Sequence, residues 1–481
     1  MAPLSILIAL VALAACLLLF VRHLLFHPLR KIPKAHPTIS ITSLWIRYHR
    51  RGGSQAIQAI SNAHTKHGPI VRLGPNEISV SSFEAANKVY IERGGFAKPK
   101  WWAEEFTSYG VINMVAMQGG VGDKTHAERK RAMGSVYAKS SLMKSEALHK
   151  IAKRVLGDMF GVLEKAVRER GGEVDAYSFS GAVNADFISA FQFGSAAGTR
   201  FVEDTAARDS YYESHDTWLR GKPGHERAQK SLESFGLEQI DAAEFEMKEK
   251  KSAADAVVYK QLRSRGLQGK HLASEILDHF IAGAEAPRSI CAYLQWELSR
   301  KPGMQKRVRD EVHSLPAADQ GPDTSYFKAV EALPLLEALL LETMRVYTPT
   351  PGPQHRLTPL EGTIVHGYHI PGGVAISATL SVLHHNAAVF PQPEQWDPDR
   401  WLTDDQDKLE EMRRWFWAFS KGSRTCVGKD FTLIVMKLVL CGIYSRYRTS
   451  IVDDAGFDEA FDAFLAGPES ERLILKYDIA N

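Results

Sequence analysis

The sequence predicts a mainly α-helical protein with small β-sheets, set behind one N-terminal transmembrane helix. Three observations predict it: an uncharged run at the start, helical patterning that dominates to about residue 350, and a glycine-rich cysteine loop entering a last apolar helix. Of the 481 residues, 44% are apolar and 24% charged, which is ordinary globular composition. Length alone suggests roughly three domains. No long Pro/Gly/Ser-rich or single-sign linker interrupts residues 50–481, however, so they read as one folded unit. A formal net charge of +3, no basic stripe and no solenoid-length repeat turn the reading away from nucleic acid.

From Ala2 to Val21 there is no charge. Twenty residues at about 1.5 Å rise cover roughly 30 Å, the thickness of a bilayer's hydrocarbon core. The cations Arg22, Arg30, Lys31 and Lys34 follow the run instead of preceding it. That order predicts an uncleaved signal anchor at 2–21 with the rest of the chain on the cytosolic side. Residues 22–49, punctuated by Pro28, Pro33 and Pro37, read as a stiff linker that turns the chain away from the membrane. Residues 50–481 are the expected catalytic domain.

Two short strands flank the turn at Gly74-Pro75, and residues 83–93 look helical. An aromatic-rich stretch follows, with Trp101, Trp102, Phe106, Tyr109 and Met114. Helices are expected at 126–138, 141–170, 177–193, 226–265, 272–300 and 302–314, strands within 360–380, and a last helix at 427–446. The last helix is apolar nearly all round and should be buried. Gly119 to Thr125 faintly suggests a phosphate loop, but Asp123 stands where that loop needs glycine.

Four cysteines, Cys16, Cys291, Cys426 and Cys441, lie too far apart for a disulfide framework or a zinc site. Cys291 and Cys441 read as small buried hydrophobes. Cys426 differs in its surroundings, Phe419-Ser420-Lys421-Gly422-Ser423-Arg424-Thr425-Cys426-Val427-Gly428. Gly422 and Gly428 let backbone approach a flat ligand or take φ > 0. The helix N-terminus beyond Cys426 favours thiolate over thiol, with amide bonds to the sulfur as the expected second contact layer. Arg424 can neutralise a carboxylate on the same ligand, and Phe419 can cover the sulfur.

This stretch resembles the haem-binding signature FxxGxRxCxG of the cytochrome P450 family at every fixed position. Glu342-Thr343-Met344-Arg345 is similar to the family's ExxR pair, with both side chains on one helical face. Trp396 to Trp401 resembles the segment whose arginine, here Arg400, joins that pair in a buried triad. The likeness runs from the anchor to about residue 470, in the style of fungal microsomal members. It implies the cytochrome P450 fold and haem b (iron protoporphyrin IX) with Cys426 as its axial thiolate and metal ligand. His126, Lys130 and Arg356 are implied as propionate contacts alongside Arg424, with Phe419 and Gly428 beside the cofactor. Lys130 replaces the commoner arginine and loses its bidentate geometry.

In the oxygen-activating helix the family's acid is present as Glu285, but Ala286 stands where a threonine is usual. Proton delivery needs a donor within hydrogen-bond reach, and alanine has none, so either ordered water or a substrate hydroxyl serves, or the chemistry does not need that donor. Pro287 is expected at a local break in this helix. Ala282, Ala284 and Ala286, Pro351 to Gln354, and Phe464-Leu465 are implied as further pocket walls.

Three functions compete. The first is a monooxygenase in the endoplasmic reticulum membrane, using O2 and electrons from an NADPH–cytochrome P450 reductase on a lipophilic small molecule, by analogy a secondary-metabolite intermediate. Its basic face would comprise Arg413, Arg414, Lys421 and Arg424. The second is a haem-thiolate isomerase or dehydratase acting without reductase. The third is a non-catalytic haem-binding membrane protein.

Overall fold

The computed structural model describes Ile8 and residues 26–51, 55–120, 123–249, 255–315, 322–461 and 464–480. Helices dominate, and the strands form three small sheets. Strands β1 (Ile70–Gly74) and β2 (Glu77–Val80) are paired antiparallel as expected. Further strands are β3 (Glu173–Asp175), β4 (Pro353–Leu357), β5 (Thr363–Val365), β6 (Tyr368–Ile370), β7 (Ala375–Thr379), β8 (Tyr447–Asp453) and β9 (Ile474–Ile479). The first sheet runs β1-β2-β7-β4, with β2 and β7 parallel, so a segment near the start is stitched to one three hundred residues later. A β5-β6 hairpin and a β3-β9-β8 sheet complete the set. The last sheet is not anticipated by the patterning, since β3 is too short to show a period.

The central layer is the Gly269–Arg300 helix packed along the Ala176–Phe193 helix. Ala176–Phe193 is buried at nearly every position, which its many Ala, Ser and Gly residues permit. It begins where Asp175 Oδ1 accepts the amides of Tyr177 and Ser178, and ends at Gly194 (φ 91°). The helix expected at 141–170 is split, because Ser145 accepts the Leu148 amide and starts Glu146–Glu169 afresh after the short turn Lys139–Met143. The one expected at 226–265 is also two, His225–Glu249 and Val257–Ser264. A helix at Thr205–Leu219, capped by Asp204, had no expected counterpart.

The break expected at Pro287 is absent: the Gly269–Arg300 helix is continuous through it. Proline removes one amide donor, and packing on both sides of a 32-residue helix holds the remaining ladder together. Lys429–Arg446 is buried on most sides, as its apolar composition required. Even Lys437 is buried there, its ammonium between Glu331 (3.3 Å) and Glu337 (2.7 Å).

The stretch 28–49 packs onto the domain instead of standing free of it. Leu29 and Ile32 join one apolar cluster, and Ile46 joins Ile60, Val71 and Leu73 in another. Among the described residues no helix is long and apolar enough to cross a membrane. The expected anchor, residues 2–21, lies outside them apart from Ile8.

Candidate functional site

The cysteine loop lies between Trp417 and the Lys429–Arg446 helix. It closes on itself through the Cys426 amide, which donates to the Phe419 carbonyl at 2.9 Å. Gly422 turns the loop at φ 72°, and a Cβ there would lie 2.6 Å from the Tyr90 carbonyl oxygen. Only glycine fits. At Gly428 the structure decides between the two expected reasons: its φ is −86° and an added Cβ would meet nothing nearer than Thr432 Oγ1 at 4.0 Å. The protein itself therefore makes no demand for glycine at 428, which leaves close approach of a flat ligand as the reason.

Cys426 is accessible by surface area, yet protein surrounds it closely enough to desolvate it strongly. Accessible surface on a sulfur so enclosed means that it borders internal space, a chamber, and not bulk solvent. Burial pushes the thiol up, and the amides of Gly428 and Lys429 and the Lys130 ammonium only partly offset that. The amide bonds to sulfur that the sequence reading expects are present, and they act in the thiolate's favour. Lys130 donates to the carbonyls of Ser423 (2.9 Å) and Thr425 (2.6 Å). Two of its three protons secure the loop, a role for which lysine suits better than a planar guanidinium.

Around the chamber stand more cations than counter-charges. Arg424 Nη2 donates to the Met117 carbonyl at 2.8 Å, while its buried Nη1 has no hydrogen-bond partner among the described residues. Burial and the nearby Arg356 push Arg424 down to about 10. Arg356, on β4, is 4% exposed, lies over the Tyr90 ring, and among the described residues donates only to the His355 carbonyl. His126 is pushed down to about 3 by burial and by the cations Arg424, Lys130 and Lys98, so it is neutral at ordinary pH. Lys98, which the sequence reading missed, is pushed well below its ordinary value by burial first and by Arg356 and Arg424 after it. Buried, unpaired cations are costly, and two ligand carboxylates would relieve that cost. The donor set fits the propionates of a haem.

The triad is as expected and richer. Arg345 grips Glu342 at 2.7 and 2.9 Å, and Arg400 Nε reaches it at 3.0 Å. Trp401 Nε1 and the Asp397 amide, both at 2.9 Å, complete the carboxylate's partners. Arg345 also donates to the carbonyls of His384, Pro393 and Gln395. Burial pushes the Glu342 carboxyl up, but Arg345, the Asp397 amide and Arg400 outweigh it and hold it below its ordinary value.

Glu285 is the largest surprise. It is buried in a cluster with His215 (3.6 Å) and Arg288 (3.3 Å), and Asp216 contacts both His215 (3.0 Å) and Arg288 (3.4 Å). Arg288 is sandwiched between the rings of Tyr177 and Tyr212. Burial raises the Glu285 carboxyl against the pull of His215 and Arg288. A small cleft touches Glu285, Ala286, Asp216, Ser289 and Leu465. No sequence signal linked His215 or Asp216 to Glu285, since they sit on the unanticipated helix.

Of the expected walls, Trp102, Phe106 and Phe464 pack together, with centroid separations of 4.3 and 4.6 Å along the chain of contacts. Trp101 is half exposed and meets His355 edge-on. Tyr109 and Met114 are tied down elsewhere, by Glu233 and by Glu275. Arg413 and Arg414 are exposed, as a docking face requires, whereas Arg424 points into the chamber.

The family model for cytochrome P450 matches residues 222–474, a little over half of the chain. Cytochrome P450 monooxygenase avaI of Aspergillus versicolor is 28% identical, over 78% of this chain and 94% of its own length. Cytochrome P450 monooxygenase orf2 of Aspergillus niger is 24% identical over 96% of both chains. Membership carries with it a haem on a cysteine thiolate, the group whose donors the chamber supplies. This chain belongs to the cytochrome P450 family and is a haem-dependent oxidoreductase.

Proposed function

We propose that this chain is a membrane-anchored monooxygenase that oxidises a lipophilic small molecule, a secondary-metabolite intermediate, with O2 and electrons from an NADPH–cytochrome P450 reductase. The observation that carries the reading is Cys426 in its amide-lined loop, close to the cations Lys130, Arg356 and Arg424, none of which has a carboxylate ion pair among the described residues, Arg424 keeping a free Nη1 there. Haem b, when bound through Cys426 with its propionates toward Arg356, Arg424 and His126, supplies the oxidative chemistry. The printed names of the two relatives above, both cytochrome P450 monooxygenases from Aspergillus, support the reaction class. Residues 2–21 are the proposed anchor in the endoplasmic reticulum membrane, and the exposed Arg413 and Arg414 suit an acidic electron donor.

The chain's own residues divide the remaining work. Lys130 fixes the loop that carries the sulfur. Glu285 holds a carboxyl inclined toward its protonated form by burial, beside an alanine with no hydroxyl. A hydroxyl or other polar group on the substrate fills that gap. Ala286→Thr, measured as product per NADPH consumed, tests the idea. Tight coupling in the native enzyme with a substrate analogue lacking the group would end it.

The founding test is the reduced carbon-monoxide difference spectrum beside Cys426→Ser. A thiolate-type Soret band lost in the variant supports the reading, and a spectrum indifferent to the substitution overturns it. Ala286 also favours a second reading, an isomerase or dehydratase, which turnover without NADPH or reductase would establish.

A further inference from the structure

Four side chains meet where the Thr205–Leu219 helix reaches the central helix. His215 Nδ1 and Arg288 Nη1 face the same two oxygens: Asp216 Oδ1, at 3.0 and 3.4 Å, and Glu285 Oε2, at 3.6 and 3.3 Å. Nitrogens and acid oxygens alternate around this small ring, and Glu285 enters it by one oxygen only. Its other oxygen, Oε1, is buried and has no hydrogen-bond partner among the described residues. Glu342 shows what a structural carboxylate receives in this protein: five hydrogen bonds spread over both oxygens. Among the described residues Glu285 receives one, from Arg288 at 3.3 Å.

An acid committed by half suits proton transfer better than support. Glu285 and Ala286 line one cleft, together with Asp216 and Ser289. His215 is fully buried and Arg288 is 3% exposed, so neither swings out to solvent and releases Oε2. Arg288 is clamped between two tyrosine rings, and His215 is held by Asp216, its neighbour in the chain. The other ionisable groups facing the ring are Tyr177, from the Ala176–Phe193 helix, and Tyr211 and Tyr212, from the helix of His215. Burial pushes Tyr177 up to about 12 and the other two well above their ordinary value, so all three stay neutral. On the Asp216 side stand Arg220 and Glu471, paired with each other at 2.9 Å.

We propose that His215 and Asp216 are positioning residues for Glu285: the aspartate holds the histidine, the histidine holds Oε2 beside Arg288, and Oε1 is left free to pass a proton where Ala286 has no hydroxyl. The Oε1–H bond breaks as ordered water or a substrate hydroxyl accepts the proton, and the negative charge left on the carboxylate faces His215 and Arg288. The two positioning residues act on that charge in opposite senses. A protonated His215 favours the ionised carboxyl, whereas Asp216 disfavours it. This rests on the monooxygenase reading above and adds the residues that govern its proton donor.

The test uses the haem-loaded full chain with an NADPH–cytochrome P450 reductase and no added substrate. Infrared difference spectra follow the protonated Glu285 carboxyl as pH is raised, its band assigned by its loss in Glu285→Gln. NADPH consumption is measured over the same pH range. Wild type should lose the band and slow its consumption together. His215→Phe should displace both to higher pH and Asp216→Asn both to lower pH, each by about one pH unit. Loss of packing alone cannot imitate opposite displacements. His215→Gln takes the place of the phenylalanine variant should that one fail to fold. No Glu285 band in wild type, a titration unmoved by the variants, displacements in the same direction, or a band that moves while NADPH consumption does not follow overturns the proposal. A wild type without a thiolate-type Soret band, or one that consumes no NADPH, brings down the monooxygenase reading first, and the proposal with it.

Discussion

Replacing Glu342 by glutamine removes one negative charge from a site where two guanidinium groups converge and changes almost nothing in shape. The carboxylate accepts five hydrogen bonds, two from Arg345 and one each from Arg400, Trp401 and the Asp397 amide. A glutamine amide must turn one acceptor into a donor facing donors. Breaking a buried ionic cluster from one side costs about 3–5 kcal/mol. Unfolding entropy of about 2.1 cal/mol/K per residue, over roughly 450 folded residues, gives ~0.9 kcal/mol/K, so melting should fall by ~3–5 °C. Thermal denaturation of the apoprotein, followed by circular dichroism, measures it without reference to activity. The pH dependence adds a second check. The folded-state carboxyl lies below its ordinary value of 4.5, so its stabilisation is complete above that value and is lost as pH falls through the lower, folded-state value. Glu342→Gln should therefore lose less stability than wild type on acidification below 4.5. A variant melting within about 1 °C of wild type would refute the claim that the triad supports the fold.

Three further outcomes are expected. Lys130→Met should remove two charge-assisted bonds to the cysteine loop, each worth about 1.5 kcal/mol at a half-buried site, and speed haem loss to an acceptor such as apomyoglobin. Lys130→Arg should recover part of the retention. Gly422→Ala should destabilise the apoprotein, because its φ of 72° and the Tyr90 carbonyl leave no room, whereas Gly428→Ala should leave apoprotein melting unchanged and weaken only haem binding. His384 is pushed down to about 3 by burial, His385 and Arg345, and its ring nitrogen accepts the Trp417 amide at 2.8 Å. The unfolded chain thus takes up that proton first, and stability is lost as pH falls from 6.5. Melting curves should show His384→Gln with a shallower loss between pH 6.5 and about 5.

Motifs that act within a few residues were legible in the sequence. The Cys426 loop needs its glycine turn and its helix start in one contiguous stretch, and Glu342 and Arg345 need only helical spacing. The uninterrupted apolar character of 429–446 marked it as buried because a helix without a polar face has nowhere else to go. Even the departure at Ala286 could be read directly, since a missing hydroxyl is missing in any conformation.

What the sequence could not decide depends on residues brought together across long separations. Trp401 reaches Glu342 from 59 residues away, and Lys130 reaches Thr425 from 295. His215 and Asp216 meet Glu285 only because one helix crosses another, and neither carries a local signal of that crossing. Which of two reasons applies at Gly428, positive φ or close approach of a ligand, is decided by its dihedral and open surroundings. Local patterns determine which segments become helix, strand or ligand loop. Burial and the identity of distant neighbours determine which of their charges remain available to a ligand, and those are properties of the packed whole.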